Sequence, residues 1–383
     1  MNPQDFKNRE AGRVVKLPQG FHAFVPAPLP VQLSFDAQLA VAQSRADAAL
    51  SELAGVGRLL PNPHLLIDPL MRQEAVLSSR IEGTRASLSD VLEAEALKLT
   101  RTESSDDVHE VRNYIAALTH GIERLKTLPL SLRLVKELHE KLMRNVRGHD
   151  KTPGEFRRSQ NWIGPQGSTP ETAPYVPPPV EELMPALGNW EIFLHERDKL
   201  PDLIQCAVMH EQFEAIHPFL DGNGRVGRLL ITLFLMERGR LAQPLLYLSA
   251  FIEAHRQEYY DLLQRVRTHG DWSAWMRWFL RGVEVTARDA AGRATKLMSM
   301  REAFRAKLAR KSTAARLLDG LFLNPYMTNQ RAESLLDCTP PTAIKAIGDL
   351  EAEKIVEEIT GRQRNRVYVS RKILEVLQAP INA

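Results

Sequence analysis

The sequence predicts a mainly α-helical protein with one irregular β-hairpin flap and a C-terminal winged helix-turn-helix. Apolar residues recur at helical spacing through most of the chain before residue 310, and few alternating runs read as strands. A proline-dense stretch, residues 152–179, breaks that pattern once. After Arg310 the order becomes helix, turn, helix and then two alternating runs around a basic segment.

The elements follow in chain order. The opening stretch to about residue 33 carries Pro18, Pro26, Pro28 and Pro30, which neither a helix nor a central strand accommodates, so it reads as an extended arm laid over the body. Helical patterns cover residues 35–57 and 68–82. They resume over 105–144, broken near Leu128-Pro129-Leu130. Residues 152–179 hold prolines at positions 153, 165, 170, 174, 177, 178 and 179, and a loop this long inside a compact domain is functional or disordered. Residues 157–164 are expected to pair with 173–176, either as a surface loop or as a flap over a site. Helices return over 180–308, and residues 281–310 read as a long helix leading to a separate unit. There, 312–323 and 328–336 are helical, Cys338-Thr339-Pro340-Pro341 is a turn, and 342–353 is a helix with apolar Ile344, Ile347 and Leu350 at helical spacing. Strands at 355–358 and 366–369 flank the basic tip. The expected division is 1–110, 111–290 and 291–383.

Composition bounds the function. At 383 residues, 44% hydrophobic and 25% charged, the chain is globular, with two or three domains and ample core. Lys plus Arg number 50 against 47 Asp plus Glu, a net charge of +3, which excludes an arginine-flooded nucleic-acid coat and permits a local basic patch. Two cysteines, Cys206 and Cys338, exclude a disulfide framework or a cysteine-rich zinc site and fit a reducing compartment. Residues 1–13 carry Asp5 and Glu10 and no apolar run, so no signal peptide is expected. The most apolar run, 229–236, falls short of the ~20 residues a membrane helix needs. A soluble, cytoplasmic protein without membrane contact is expected. No internal repeat or low-complexity tract appears.

One segment concentrates chemistry: His217-Pro218-Phe219-Leu220-Asp221-Gly222-Asn223-Gly224-Arg225-Val226-Gly227-Arg228. An amphipathic helix with Cys206, Met209, Phe213 and Ile216 on one face precedes it, and the apolar run 229–236 follows. The intervening loop is therefore pinned between buried helices. Gly222 and Gly224 free the backbone to bring successive N–H groups close to a ligand, and the next helix aims its positive end at the same place. Phosphate is the natural guest. Arg225 and Arg228 lie one helical turn apart and both reach it. Asp221 would repel phosphate unless a divalent cation bridged them, and Mg²⁺ suits such oxygen ligands. His217 at the loop entrance is placed to act as general base near neutral pH. A turn signature with a structural histidine is the competing reading of any single piece, but the ordered combination has no simple packing reason.

The stretch resembles, at every defined position, the motif of Fic adenylyl transferases, His-Pro-Phe-x-(Asp/Glu)-Gly-Asn-Gly-Arg-x-x-Arg. The resemblance implies transfer of AMP from ATP to a protein hydroxyl, with release of pyrophosphate, on a helical core. It implies His217 as base, Asp221 as the Mg²⁺ ligand, Gly222, Asn223, Gly224 and Arg225 on the α- and β-phosphates, and Arg228 on the γ-phosphate. Gly227 is counted with the same phosphate loop. Upstream, Ser78-Ser79-Arg80-Ile81-Glu82-Gly83 resembles the family's inhibitory motif, (Ser/Thr)-x-x-x-Glu-(Gly/Asn), which implies that Glu82 pairs with Arg228 and blocks the γ-phosphate; a plain helix end before Gly83 is the alternative. By the same resemblance, the flap 152–179 docks a target protein by strand addition, with Ile163 and Gly164 bordering the nucleotide. Tyr259, in Tyr259-Tyr260, falls where relatives place an aromatic near adenine or ribose, with ordinary helix packing as the alternative.

Other readings stay in view. His210 shares a helical face with His217, but the spacing lacks zinc geometry and no third ligand is near. No Gly-x-x-x-x-Gly-Lys-(Ser/Thr) sequence occurs, so the phosphate site is not a P-loop. The C-terminal unit, with Arg362, Arg364 and Arg366, would suit a DNA-binding regulator or a protein-docking module, although its recognition helix carries Asp349, Glu351 and Glu353. The same loop would also suit transfer of another nucleotide group, or removal of AMP with Glu82 positioning a water. A homodimer is compatible with the sequence.

Overall fold

The computed structural model describes residues 1–59, 62–99 and 102–381. Its opening segment is not the extended arm expected. β1 (Gly12–Lys16) and β2 (His22–Pro26) form an antiparallel hairpin, Gly12 opposite Pro26 and Lys16 opposite His22. The prolines tolerate this because Pro18 lies in the connection and Pro26 ends the second strand.

The helices then follow. α1 (Ala37–Leu59), α2 (His64–Ile81), α3 (Leu88–Ala96), α4 (Asp106–Arg124) and α5 (Leu132–Leu142) precede the flap. After it come α6 (Val180–His195), α7 (Asp202–Ile216), α8 (Asn223–Glu237), α9 (Ser249–Ala254) and α10 (Arg256–His269). α3 was not anticipated. A capping box starts it, Ser87 accepting from the Asp90 N–H while Asp90 accepts from the Ser87 N–H. The expected boundary at residue 110 falls inside α4.

α7 sits at the centre, with every residue from Leu203 to Ile216 buried. A helix buried all round must satisfy its polar groups internally. Gln205 donates to the Phe193 carbonyl, Gln212 to the Ala27 carbonyl, and Glu211 pairs with Arg267. α8 lies against it, and α11 (Trp272–Lys307) packs along α1. At ~1.5 Å per residue α11 runs roughly 54 Å, from the centre toward the C-terminal unit. The expected boundary at residue 290 lies within it. No helix among the described residues is long and apolar enough to cross a membrane.

The C-terminal unit comprises α12 (Ser312–Ala315), α13 (Leu318–Leu323), β3 (Tyr326–Thr328), α14 (Asn329–Leu336), α15 (Pro340–Ala352), β4 (Glu357–Glu358), β5 (Val367–Val369) and α16 (Arg371–Gln378). The strands form an antiparallel sheet in the order β3-β5-β4. β3 and α16 were not anticipated. α15 starts two residues earlier than expected, because a proline in the first helical turn gives up only an N–H that has no partner there.

The flap is the irregular hairpin expected. Ile163 and Tyr175 form an antiparallel bridge, and the Phe24 N–H donates to the Val176 carbonyl at 2.8 Å. The N-terminal hairpin thus docks on the flap, and Phe6, Phe24 and Tyr175 cluster as tilted rings with centroids 5.1–6.3 Å apart.

Candidate active site

α7 ends where His217 turns left-handed, at φ 49°, and α8 begins after Gly222, at φ 78°. A left-handed residue at each end folds residues 217–222 into a tight loop over the N-terminus of α8. Asn223 closes the loop: its Oδ1 accepts from the Phe219 N–H at 2.8 Å and its Nδ2 donates to the Phe219 carbonyl at 2.9 Å. That differs from the phosphate contact expected of it. With both amide atoms engaged, the Asn223 side chain shapes the loop.

Residues far away in sequence brace the same loop. His139 on α5 donates from Nε2 to the Asp221 carbonyl at 3.0 Å, accepts the Gly154 N–H at Nδ1, and stacks on Phe219 with centroids 3.7 Å apart. Both nitrogens are thereby committed to a neutral ring, and burial pushes its pKa down to about 4. From the flap, Arg157 Nε and Asn161 Nδ2 each donate to the His217 carbonyl at 3.1 Å, and Asn161 also reaches the Phe219 carbonyl. Arg157 extends to the Pro178 carbonyl as well, so one buried guanidinium ties both limbs of the flap to the 217–222 loop.

The face of α2 at i, i+4 and i+8 meets the start of α8. Arg228 donates from Nε to Ser78 Oγ at 2.8 Å, and from Nη2 to the Ser78 carbonyl at 2.9 Å and Glu82 Oε1 at 2.8 Å. One turn further back, Glu74 accepts from Tyr114 and Ser249, which fixes the buried face of α2. Burial raises the Glu82 carboxyl, but Arg228 overrides it and leaves the group below the ordinary carboxylate value. Glu82 is also the C-cap of α2, followed by Gly83 at φ 97°. It ends the helix and pairs with the arginine at once. A side-chain carbon at Gly224 would run into Glu82 Oε1. The carboxylate therefore stands over the first turn of α8, where the helix favours an anion.

Arg225 is buried, with Nη1 3.7 Å from Glu110 and Nη2 3.6 Å from Asp221. Its Nε and Nη1 have no hydrogen-bond partner among the described residues. Such orphaned donors are costly unless a ligand takes them, and a phosphate would. Asp221 is 43% exposed and holds its own neighbour's N–H through Oδ1. No group of three or more His, Cys, Asp and Glu side chains is gathered as a metal cage among the described residues. A single half-exposed carboxylate beside an anion site fits Mg²⁺, which usually keeps water and shares substrate phosphates.

His217 is one-fifth exposed. Its Nδ1 lies 3.3 Å from the Glu214 carbonyl, which only accepts, so Nδ1 carries the proton and Nε2 keeps its lone pair. Burial, then Arg267 and Arg157, push its pKa down to about 3, so the ring is a neutral base at physiological pH.

The remaining expected residues divide. Ile163 forms the flap bridge, two residues beyond the loop-bound Asn161; Gly164 is closed in by Ser168 and Pro174. Gly227 is a close-packing position between α7 and α8, facing Glu214 and His210 rather than a ligand. Tyr259 is a correction. It is 1% exposed, donates to His210 Nε2 at 2.9 Å, and lies among Trp275 and Trp278 in the core. Tyr260 is the exposed member of the pair at 39%, and its hydroxyl feels the charges of Glu82 and Arg228. Sequence reasoning also missed His139, Arg157, Asn161, Glu110 and Ser78 as site residues. Only Ser78 had a local signal, at the first position of the 78–83 motif.

Residues 41–123 match the family described as Fic/DOC family N-terminal, and residues 129–235 match Fic/DOC family. A protein adenylyltransferase Fic of Aedes aegypti is 30% identical over 197 residues, covering 50% of this chain and 36% of that protein. A probable protein adenylyltransferase of Aquifex aeolicus is 30% identical over 193 residues, covering 50% of this chain and 56% of that one. The chain thus spans between about a third and somewhat over half of these relatives' length. Among solved structures, a Fic family protein from Desulfovibrio desulfuricans G20 superposes with a TM-score of 0.56 at 19% identity, over 88% of this chain and 97% of that one. Residues 134–508 of Fic-1 from C. elegans give 0.52 at 20% identity, over 68% and 74%. The loop on α7 and α8, the helix bearing Glu82 and these matches across residues 41–235 together make the chain a member of the Fic/DOC family.

Proposed function

We propose that the protein transfers AMP from ATP to a serine, threonine or tyrosine hydroxyl of a target protein, or of itself, and releases pyrophosphate. The observation that carries the reading is a neutral histidine with a bare Nε2 beside a glycine-opened helix N-terminus served by two arginines. The amides of residues 222–225 and Arg225 hold the α- and β-phosphates, and Arg228 takes the γ-phosphate. His217 Nε2 accepts the proton of the attacking hydroxyl as its oxygen bonds to the α-phosphorus and the pyrophosphate oxygen departs. Asp221 would hold Mg²⁺, which offsets negative charge on the phosphates when bound. The flap, bound to the His217 carbonyl, presents the target by strand addition along residues 161–164, since the N-terminal hairpin already occupies the Val176 side. Glu82 on Arg228 keeps the γ-phosphate from its place, so the ground state is inhibited.

ATP labelled at the α-phosphate tests this, with Mg²⁺ and lysate, on wild type, Glu82→Gly and Glu82→Gly/His217→Ala. Label that rises in the first variant and vanishes in the second supports the reading. Absence of label from all three overturns it.

A second role belongs to the C-terminal unit, which we read as a winged helix-turn-helix that contacts DNA. The observation favouring it is that Lys311 pairs with both Asp349 and Glu353, which offsets part of the acidity at the C-terminal end of α15. Arg362, Arg364 and Arg366 remain exposed at the tip between β4 and β5. Salt-sensitive retention of the full chain on duplex DNA, lost when all three arginines become alanine, is the expected result.

A further inference from the structure

Three residues before His217, α7 buries an acid that the mechanism above leaves idle. Glu214 is 6% exposed, and its Oε1 accepts no hydrogen bond from the described residues. Its Oε2 lies 3.9 Å from His217 Nδ1, the same nitrogen that approaches the Glu214 carbonyl at 3.3 Å. One residue thus turns both its backbone acceptor and its carboxyl toward the back of the imidazole. Room for the carboxyl exists because Gly227 stands opposite; a side-chain carbon there would come within 2.5 Å of Oε1. A buried carboxyl held this loosely is expensive unless it has a charge to meet.

We propose that Glu214 is the positioning residue of His217, its carboxylate facing the imidazolium that forms when Nε2 takes the target's proton. The inference rests on His217 being the base of the proposed reaction. The proton balance is simple. The hydroxyl O–H bond breaks and an N–H bond forms at Nε2. Nδ1 keeps its proton throughout, and the positive charge that appears on the ring lies next to Glu214. The groups facing this carboxyl from its neighbours are Arg228 on α8, Arg267 on α10, Glu82 beyond α2, Glu211 on α7 and His217 just past its end. Burial, Glu82 and Glu211 raise its pKa against the pull of the arginines, to about 7. His217 meanwhile faces Arg267 and Arg157, which both oppose its protonation. Glu82, paired with Arg228, favours its protonation, and the Glu214 carboxyl, 3.9 Å from Nδ1, is the acid placed against the ring itself.

The test is nitrogen NMR of the full chain with labelled histidine, the His217 signals assigned by their loss in His217→Ala. In wild type, the His217 nitrogens should shift through one step near pH 7 as Glu214 ionises. That step should vanish in Glu214→Gln and persist in Glu211→Gln. In the Glu82→Gly background, the rate of AMP transfer should rise with pH through the same step. Glu214→Gln should lower kcat roughly tenfold or more and flatten that rise, with the KM for ATP unchanged, and Glu214→Asp should recover part of it. A wild-type His217 signal that is flat from pH 5.5 to 8.5, or a step unaltered in Glu214→Gln, overturns the proposal without recourse to activity. A step that depends on Glu214 in a protein that transfers no AMP supports the coupling and overturns the transferase reading instead.

Discussion

Glu82 Oε1 and Arg228 Nη2 meet at 2.8 Å directly above Gly224, so one carboxylate both pairs with the arginine and covers the N-terminal end of α8. The contact joins the C-cap of α2 to the second turn of α8. Any ligand that needs Arg228 must displace it.

The first prediction follows from that competition. Glu82→Gly should raise AMP transfer by roughly 5–150-fold, the range of an ordinary coupling between two sites. The folded state should survive, because Ser78 still accepts from Arg228 and Gly83 still ends α2. Label incorporation and a thermal melt on the same preparation check both halves.

His217→Ala in the Glu82→Gly background should lower kcat by about 10²–10⁴-fold, the usual worth of a general base. ATP affinity measured by calorimetry should stay unchanged, since the proposed phosphate donors lie on α8 and its leading turn. A parallel fall in affinity would mean that His217 binds rather than reacts.

Arg157 holds the flap to the loop through the His217, Ser159 and Pro178 carbonyls. Arg157→Met should cost about 2–4 kcal/mol of stability, since bonds to a charged donor contribute roughly 1.5–3 kcal/mol each and are not additive. It should also make residues 152–179 more open to limited proteolysis. Urea unfolding and a trypsin time course measure the two effects.

Much of this was legible beforehand, for identifiable reasons. The 217–228 loop is contiguous, so its chemistry and its turn residues sit in one window of sequence. The Glu82–Arg228 pair was inferred only through family resemblance, because nothing in local periodicity relates positions so far apart. His139, Arg157 and Asn161 were invisible for a deeper reason: each acts on backbone carbonyls, which carry no residue identity to search for. The N-terminal hairpin was hidden because its second strand gains its place from Val176 of the flap, a contact outside any local window. Asn223 shows the opposite limit. The motif placed it on the phosphates, but its side chain closes the loop on the Phe219 backbone.

Acid should destabilise the protein through its buried histidines. His139 is held neutral with a pKa lowered from 6.5 to about 4, so the unfolded chain binds a proton that the folded chain refuses between those values. Stability from this residue is fully present above pH 6.5 and is lost as pH falls toward 4. His210, lowered to about 3 and held between the Gly227 carbonyl and Tyr259, acts with the same sign. The buried carboxyls Glu211 and Glu214, both raised to about 7, act with the opposite sign over the same range, so the histidine contribution is read from a variant. Relative to wild type, the melting temperature of His139→Gln should move upward between pH 7 and pH 5, the difference in slope being roughly one proton's contribution.

The two adjacent tyrosines give the last prediction, and it separates a core role from a site role. Tyr259→Phe removes the hydroxyl that His210 Nε2 accepts, so it should cost roughly 1 kcal/mol of stability while leaving ATP affinity alone. Tyr260 is half-exposed, lies against Arg256 at 5.8 Å, and faces the charges of Glu82 and Arg228. Tyr260→Ala in the Glu82→Gly background should leave the melting temperature within about a degree, as surface changes usually do, and weaken ATP binding several-fold. If Tyr259→Phe alone lowered ATP affinity, the nucleotide would reach into the Trp275–Trp278 cluster, and the assignment of Tyr260 would be reversed.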